Sequence, residues 1–112
     1  MEEKMDVFKE VEEVDLGNGH KLEVHIANFI EGEKLFTEVA DCYSKGIEGI
    51  ALLNQEKVKL ALIPCIKKSF FDKQPINDLS FFEKVNMRQY YVPICMSVLE
   101  INTKPFMISP SL

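Results

Sequence analysis

The sequence has few of the features that mark a membrane, low-complexity or nucleic-acid-binding protein. It contains only five glycines and five prolines in 112 residues, which excludes a low-complexity linker. No apolar run reaches the roughly 18 residues that a membrane-spanning helix needs. Basic residues are also scarce, with 13 Lys and Arg against 18 Asp and Glu and a net charge of -5. A surface that neutralises nucleic-acid phosphates is therefore not expected.

Cysteine is too sparse and too scattered for a disulfide framework or a metal centre. Cys42, Cys65 and Cys95 are odd in number, and no CxxC or CxxH spacing brings two metal ligands together. Each has apolar neighbours, among which a free cysteine behaves as a small hydrophobic residue. We expect reduced, buried thiols, no metal, and a cytoplasmic location, which the acidic N-terminus without signal-peptide features also favours.

The negative charge is concentrated at one end of the chain. Residues 1–15 contain seven acids and two bases, whereas residues 16–112 contain 11 of each. A solvated strand edge or a frayed end explains such a segment. The alternative is a segment whose charge prevents self-pairing until a partner covers it, because charged residues on an edge strand oppose aggregation.

Residues 11–27 have the pattern of a β-hairpin. Asn18-Gly19 is a typical pair for a primed turn, in which both residues have positive φ. Apolar and polar residues alternate after this pair, as expected for a strand with one buried face. In a regular strand Val11 would lie on the face opposite to that of Val14 and Leu16, which predicts a bulge or an early end of pairing at Val11.

After the hairpin the apolar residues follow the period of helices. A first helix over residues 29–45 is predicted to begin at an Asn28 cap, with Glu31 completing a capping box, and to end at Gly46. A second helix begins near residue 54 and is kinked or ended by Pro64.

The rest of the chain is predicted to be a loop followed by more helix. Residues 70–78 form the loop and residues 79–85 a short helical turn. The best-patterned helix then starts after an Asn86 cap and ends at Pro105. Pro93 lies off its apolar stripe, so a kink there would bend the helix and leave its buried face intact. The predicted fold is therefore α+β, mostly α, with an N-terminal β-hairpin followed by a small bundle of four to five helices. Its single domain, residues 1–112, consists of an acidic segment (1–10), the hairpin (11–27), a helical body (28–106) and a tail (107–112).

No residue pattern indicates catalysis. Both histidines, His20 and His25, lie on the predicted hairpin, where solvent is expected to reach them. An enzyme would need a deep polar pocket around His25 or Cys65, and the Walker, HExxH and GxSxG motifs are absent. We expect no enzymatic activity, no cofactor and no small-molecule substrate.

Aromatic residues are abundant instead. The chain has eight Phe and three Tyr, several of them in the pairs Phe70-Phe71, Phe81-Phe82 and Tyr90-Tyr91. Such pairs fill a core where two elements meet. They also suit an exposed patch that binds a protein partner or a second copy of the chain.

The order of these features resembles the tail assembly chaperones of long-tailed bacteriophages and prophages. An acidic segment precedes a hairpin whose turn covers residues 15–20, and a helical body ends in residues 98–106. Members of that family commonly close the helical domain with an Asn followed by Pro-Phe, and Asn102, Pro105 and Phe106 occupy those positions here. The resemblance covers most of the chain through short motifs. Pro64 and Pro93 depart from the commoner pattern.

The resemblance implies a non-enzymatic protein of the host-cell cytoplasm that is absent from the finished virion. Such chaperones bind the helical tape measure protein before tail tube subunits polymerise around it, and many are also made in a frameshifted long form. We expect helical segments of the tape measure protein as partner, the tail tube subunit as a second candidate, and self-association, since many small copies must share one long filament. The predicted binding faces consist of Leu35, Phe36, Val39, Tyr43, Tyr90, Tyr91, Ile94 and Val98. The alternative is a small adaptor or regulatory domain of a mobile element without a chaperone role.

Overall fold

The fold combines one antiparallel sheet with three α-helices. A computed structural model describes residues 9–107, so most of the predicted acidic segment and of the predicted tail lies outside the described residues. The predicted class, α+β and mostly α with an N-terminal hairpin, is confirmed. Within residues 9–107 no helix is both long enough and apolar enough to cross a membrane.

The predicted hairpin is present. Strand β1 (Val11–Gly17) pairs with β2 (His20–His25), and both turn residues, Asn18 and Gly19, have positive φ, 55° and 81°. The predicted irregularity at Val11 is wrong, because Val11 pairs with His25 and the register shifts between Asp15 and Gly17 instead. The Asp15 carboxylate accepts the Gly17 N–H at 2.9 Å, at the position where the register shifts.

Two short strands occupy the segment that the sequence predicted as a loop. Strand β3 (Ser69–Phe71) pairs with β2, and β4 (Gln74–Pro75) pairs with β3, giving the sheet order β1-β2-β3-β4. Strands of three and two residues are too short to show the alternation by which strands are recognised. Pairing with β2 holds β3 extended, and Phe71 lies opposite Leu22.

The helices begin and end close to the predicted positions, with one exception. Helix α1 is Phe29–Ser44, α2 is Glu56–Ile66 and α3 is Tyr91–Thr103. Four 3₁₀ segments accompany them: Gly49–Asn54, Leu79–Glu83, Val85–Tyr90 and Lys104–Phe106.

Helix α3 starts later than predicted. Asn86 does not cap it, because the chain is a 3₁₀ helix up to Tyr90. Pro93 then falls in the first turn of α3, where a missing N–H breaks no intrahelical bond. Pro93 therefore does not interrupt the hydrogen-bond ladder of α3. Pro64 lies inside α2, which ends two residues later.

The start of α1 contains half of the predicted capping box. The Asn28 side chain accepts the Glu31 N–H at 2.8 Å, as expected for an N-cap. The Glu31 carboxylate has a different partner, since its Oε1 lies 3.3 Å from Lys68 Nζ. It therefore links the start of α1 to the chain just before β3.

The core lies between the inner face of the sheet and the helices. Leu22 and Val24 of β2 are fully buried, as are Leu35 of α1 and Ile94 of α3. Helix α3 contacts both other helices and the first hairpin. All three cysteines are free and buried, which confirms the expected state of the thiols.

A buried amide joins the sheet-to-helix junction to α3. Asn102 Oδ1 accepts the Ala27 N–H at 2.8 Å, and its Nδ2 donates to Val98 O at 2.9 Å. Ala27 lies in the short connection between β2 and α1, and 75 residues separate the two partners. One turn further on, Phe106 packs so closely over Gly32 that a Cβ at Gly32 would lie 3.1 Å from Phe106 Cε2.

We predict that Asn102→Ala lowers the free energy of unfolding by about 2–3 kcal/mol, because it leaves the buried Ala27 N–H without an acceptor. Removal of the exposed N-cap by Asn28→Ala should cost about 1 kcal/mol, and Asn77→Ala on the exposed surface should change stability by less than about 0.5 kcal/mol. Urea denaturation followed by circular dichroism measures all three. A loss at Asn102 no larger than that at Asn77 would contradict the structural role of the amide.

Candidate functional site

An apolar stripe on α1 reaches the surface of the fold. Phe29, Phe36 and Tyr43 recur every seven residues, and Ala40 lies between the last two. Phe106 and Met107 follow α3 and extend the stripe. We call these six residues the α1 face: Phe29, Phe36, Ala40, Tyr43, Phe106 and Met107. Phe29 is 69% exposed, Tyr43 47% and Met107 46%.

The C-terminal segment completes the α1 face. The Phe106 ring lies 5.7 Å from the Phe29 ring and 5.5 Å from the Phe36 ring, measured between centroids. Gly32 provides the space for this approach, since it has no side chain at the contact. The three rings therefore form one continuous aromatic surface.

A shallow groove continues the α1 face toward the end of α3. It has a volume of about 230 Å³ and lies between Tyr43 and Met107, with Leu99 and Thr103 also lining it. Glu100 and Lys104 supply its charged groups. An apolar centre with a charged rim is the usual composition of a protein-protein contact.

Five of the eight residues predicted to bind a partner belong to the core of this chain. Leu35, Val39, Ile94 and Val98 are at most 1% exposed, and Tyr90 is also buried. They pack inside the folded chain, so a partner cannot reach them, and the predicted face is corrected accordingly. Phe36 and Tyr91 are half-buried and Tyr43 is exposed.

The correction follows from helical geometry. Helix α1 carries two apolar stripes, a buried one through Gly32, Leu35, Val39 and Cys42 and the exposed α1 face. Successive residues are about 100° apart, so neighbours such as Leu35 and Phe36 belong to different stripes. The sequence-based prediction merged the two stripes. It also missed Phe29 and Met107, although the seven-residue spacing from Phe29 to Phe36 and Tyr43 was visible.

The family-motif residues lie together at the end of α3. Asn102 is buried and Phe106 belongs to the α1 face, while Pro105 is half-buried between them in the chain. Their structural role is thus to fix α3 against the β2-to-α1 connection and to build one end of the exposed face.

His20 does not lie free in solvent as its turn position suggested. Its ring stacks on Phe71 with a centroid distance of 5.0 Å and meets Tyr90 edge-on at 5.3 Å. Its Nδ1 lies 2.6 Å from Asp72 Oδ2, and Asp72 Oδ1 also accepts the Lys21 N–H at 2.9 Å. These bonds tie the first hairpin turn to the β3-β4 turn.

The ionisable groups of the described chain include a histidine-carboxylate pair and two buried thiols with raised pKa values. Asp72 is the one hydrogen-bond partner of the His20 side chain within residues 9–107, and no group of three metal-ligating side chains occurs in that range. Burial raises the pKa of both Cys65 and Cys95 to about 12. At neutral pH these two are protonated thiols, which are weak nucleophiles.

Comparison of the chain with protein-family models, with curated proteins and with solved structures gave no match.

The Asp72 contacts predict a specific acid sensitivity. Hydrogen bonds from the Lys21 N–H and from His20 hold the pKa of Asp72 below its ordinary value of 3.8. A lowered pKa in the folded state stabilises the fold above the ordinary value, and this contribution is lost as pH falls through the folded-state pKa. We therefore expect Asp72→Asn to lose less stability than the unmodified chain when the pH is lowered below about 4.

Urea denaturation at a series of pH values measures this pH dependence of stability. The matched control is Glu33→Gln, which removes one exposed carboxylate of α1. The Glu33 variant should follow the unmodified chain. Identical pH profiles for Asp72→Asn and the unmodified chain would refute the role of the carboxylate.

Proposed function

We propose that the protein is a non-enzymatic tail assembly chaperone of a bacteriophage or prophage, which acts in the host cytoplasm and binds helical segments of the tape measure protein. The observation that supports this proposal is the α1 face, an apolar surface that the described fold leaves open. The proposal also rests on the family resemblance of the sequence. A binding role requires an accessible apolar surface, and the α1 face supplies one.

The spacing of the α1 face suits a helical partner. Residues that repeat every seven positions form the seam along which two helices pack side by side. Phe29, Phe36 and Tyr43 have that spacing. Helix α1 has 16 residues, or about 24 Å at 1.5 Å per residue, so one copy would cover roughly four turns of a partner helix.

The motif residues support the same interpretation. Phe106 contributes its ring to the α1 face, and Asn102 fixes the helix from which that segment extends. A motif that builds an exposed binding face would explain why Asn followed by Pro-Phe closes the helical domain in the chaperones that this chain resembles.

Self-association and a second partner belong to the same proposal. A face of about 24 Å covers only a small part of a long tape measure protein, so several copies would bind along it, with the tail tube subunit as a second candidate partner. An adaptor or regulatory domain of a mobile element would use the same face for another protein. Tail tube and tape measure genes beside the coding gene would favour the chaperone.

We predict that co-expression with the tape measure protein of the neighbouring gene yields a soluble complex that depends on the α1 face. The double substitution Phe29→Ser with Tyr43→Ser should reduce the amount of co-purified tape measure protein about tenfold, because it removes two exposed aromatic contacts. Both side chains are exposed, so the free energy of unfolding should change by less than about 1 kcal/mol.

The matched control is Ile50→Ser with Leu60→Ser, which removes two exposed apolar side chains outside the α1 face, 62% and 60% exposed. The control should retain the complex. An insoluble tape measure protein with no co-purifying chain, or equal losses in both double variants, would refute the proposal. A strictly monomeric chain at high concentration in light scattering would refute the self-association.

A further inference from the structure

Strand β1 forms an open edge of the sheet. It pairs with β2 on one side only, and no other strand of the described chain lies on its outer side. Hydrogen-bonded and non-hydrogen-bonded pairs alternate along an antiparallel ladder. Since the Ile26 N–H donates to Glu10 O at 2.9 Å, the register places the backbone N–H and C=O groups of Val11, Glu13 and Asp15 on the outer side.

The charge of this edge has one sign. The three charged residues of β1, Glu12, Glu13 and Asp15, are all acids, and Glu10 precedes them. Glu13 lies directly opposite Glu23 of β2 in a non-hydrogen-bonded pair, the kind in which Cα atoms are only about 4.5 Å apart. Like charges in that position destabilise a sheet. A cation placed beside Glu13 would offset the repulsion.

The outer face of the sheet offers room beside Glu13. A depression of about 240 Å³ lies there, lined by Glu13, Glu23 and Phe70 together with Lys21, Asp72 and Lys73. Its walls combine three acidic groups, two lysines and one aromatic ring, so the acids exceed the bases by one. The Phe70 ring can contact the apolar stem of a partner Lys or Arg side chain, and Glu13 its cationic head.

A second copy of the chain is a poor match for this edge. Antiparallel pairing of two β1 strands would place the acids of one strand against those of the other. Like charges across such a pair destabilise it, and charge of this kind is a common protection against edge-to-edge association. The β1 edge therefore disfavours pairing with β1 of a second copy and favours a strand of opposite charge.

We infer that the β1 edge binds an extended basic segment of a partner protein, which adds to the sheet as a further strand. The main-chain groups of Val11, Glu13 and Asp15 supply the hydrogen bonds, and the acidic side chains select Lys or Arg at alternate positions of the partner. This site takes an extended segment and lies on the sheet. It is therefore independent of the α1 face, which is proposed to take a helix.

The test uses the full chain, labelled with ¹⁵N, and a synthetic peptide of seven residues, the length of β1, in which Lys alternates with Val and Thr. Titration should shift the amide signals of β1 and slow the hydrogen exchange of the outward N–H groups of Val11, Glu13 and Asp15. A peptide with Glu in place of Lys should leave these signals unchanged. Added salt should weaken the binding, as for any exposed charge pair.

Two kinds of variant separate charge from main-chain pairing. Glu13→Lys should lower the affinity about fivefold, whereas Glu33→Lys, an equal charge change on an exposed site elsewhere, should leave it within about twofold. Val11→Pro removes one outward N–H without changing the charge and should weaken binding about threefold or more, and Val11→Thr should not. Edge strands accept Pro where the N–H faces outward.

Several results would overturn the inference. One is the absence of β1 shifts at millimolar peptide, and another is an equal loss of affinity in the Glu33→Lys control. Shifts of β1 that depend on protein concentration without peptide would instead identify a second copy as the occupant. Retention of full affinity by Val11→Pro would show that the peptide binds by charge alone and adds no strand.

Discussion

The buried amide of Asn102 is the contact on which the arrangement of the other elements depends. Its oxygen accepts the N–H of Ala27, in the connection where the chain leaves the sheet and enters α1. Its nitrogen is held by α3 through Val98 O. One side chain therefore joins α3 to the connection between the sheet and α1, and an unpaired amide in this position would cost more than an ordinary hydrogen bond contributes.

The same contact determines the exposed surface. Because α3 is fixed beside the start of α1, the segment after α3 brings Phe106 over Gly32 and between the rings of Phe29 and Phe36. The surface of the fold has two regions of different chemical character. One is an aromatic helix face, and the other is an acidic strand edge whose main-chain groups point outward.

Much of the local structure was predictable because it depends on neighbouring residues. The Asn18-Gly19 turn, the Asn28 cap and the end of α1 at Gly46 are short-range features, and all are present. Strand β3 was not predictable, because β2, with which it pairs, lies about 50 residues earlier in the chain. Strand β4 has only two residues and pairs with β3 alone, so it was not predictable either. The late start of α3 was missed because the preceding 3₁₀ helix has a similar apolar period.

The sequence by itself determined the fold class, the buried thiols and the location of the negative charge, since composition and short-range pattern carry that information. Only the tertiary structure decided which apolar stripe of α1 is buried and which one is free, because burial depends on the elements that pack against a helix. It likewise decided that Glu13 faces Glu23 and that β1 is an edge, since strand order and register are set by pairing between distant segments.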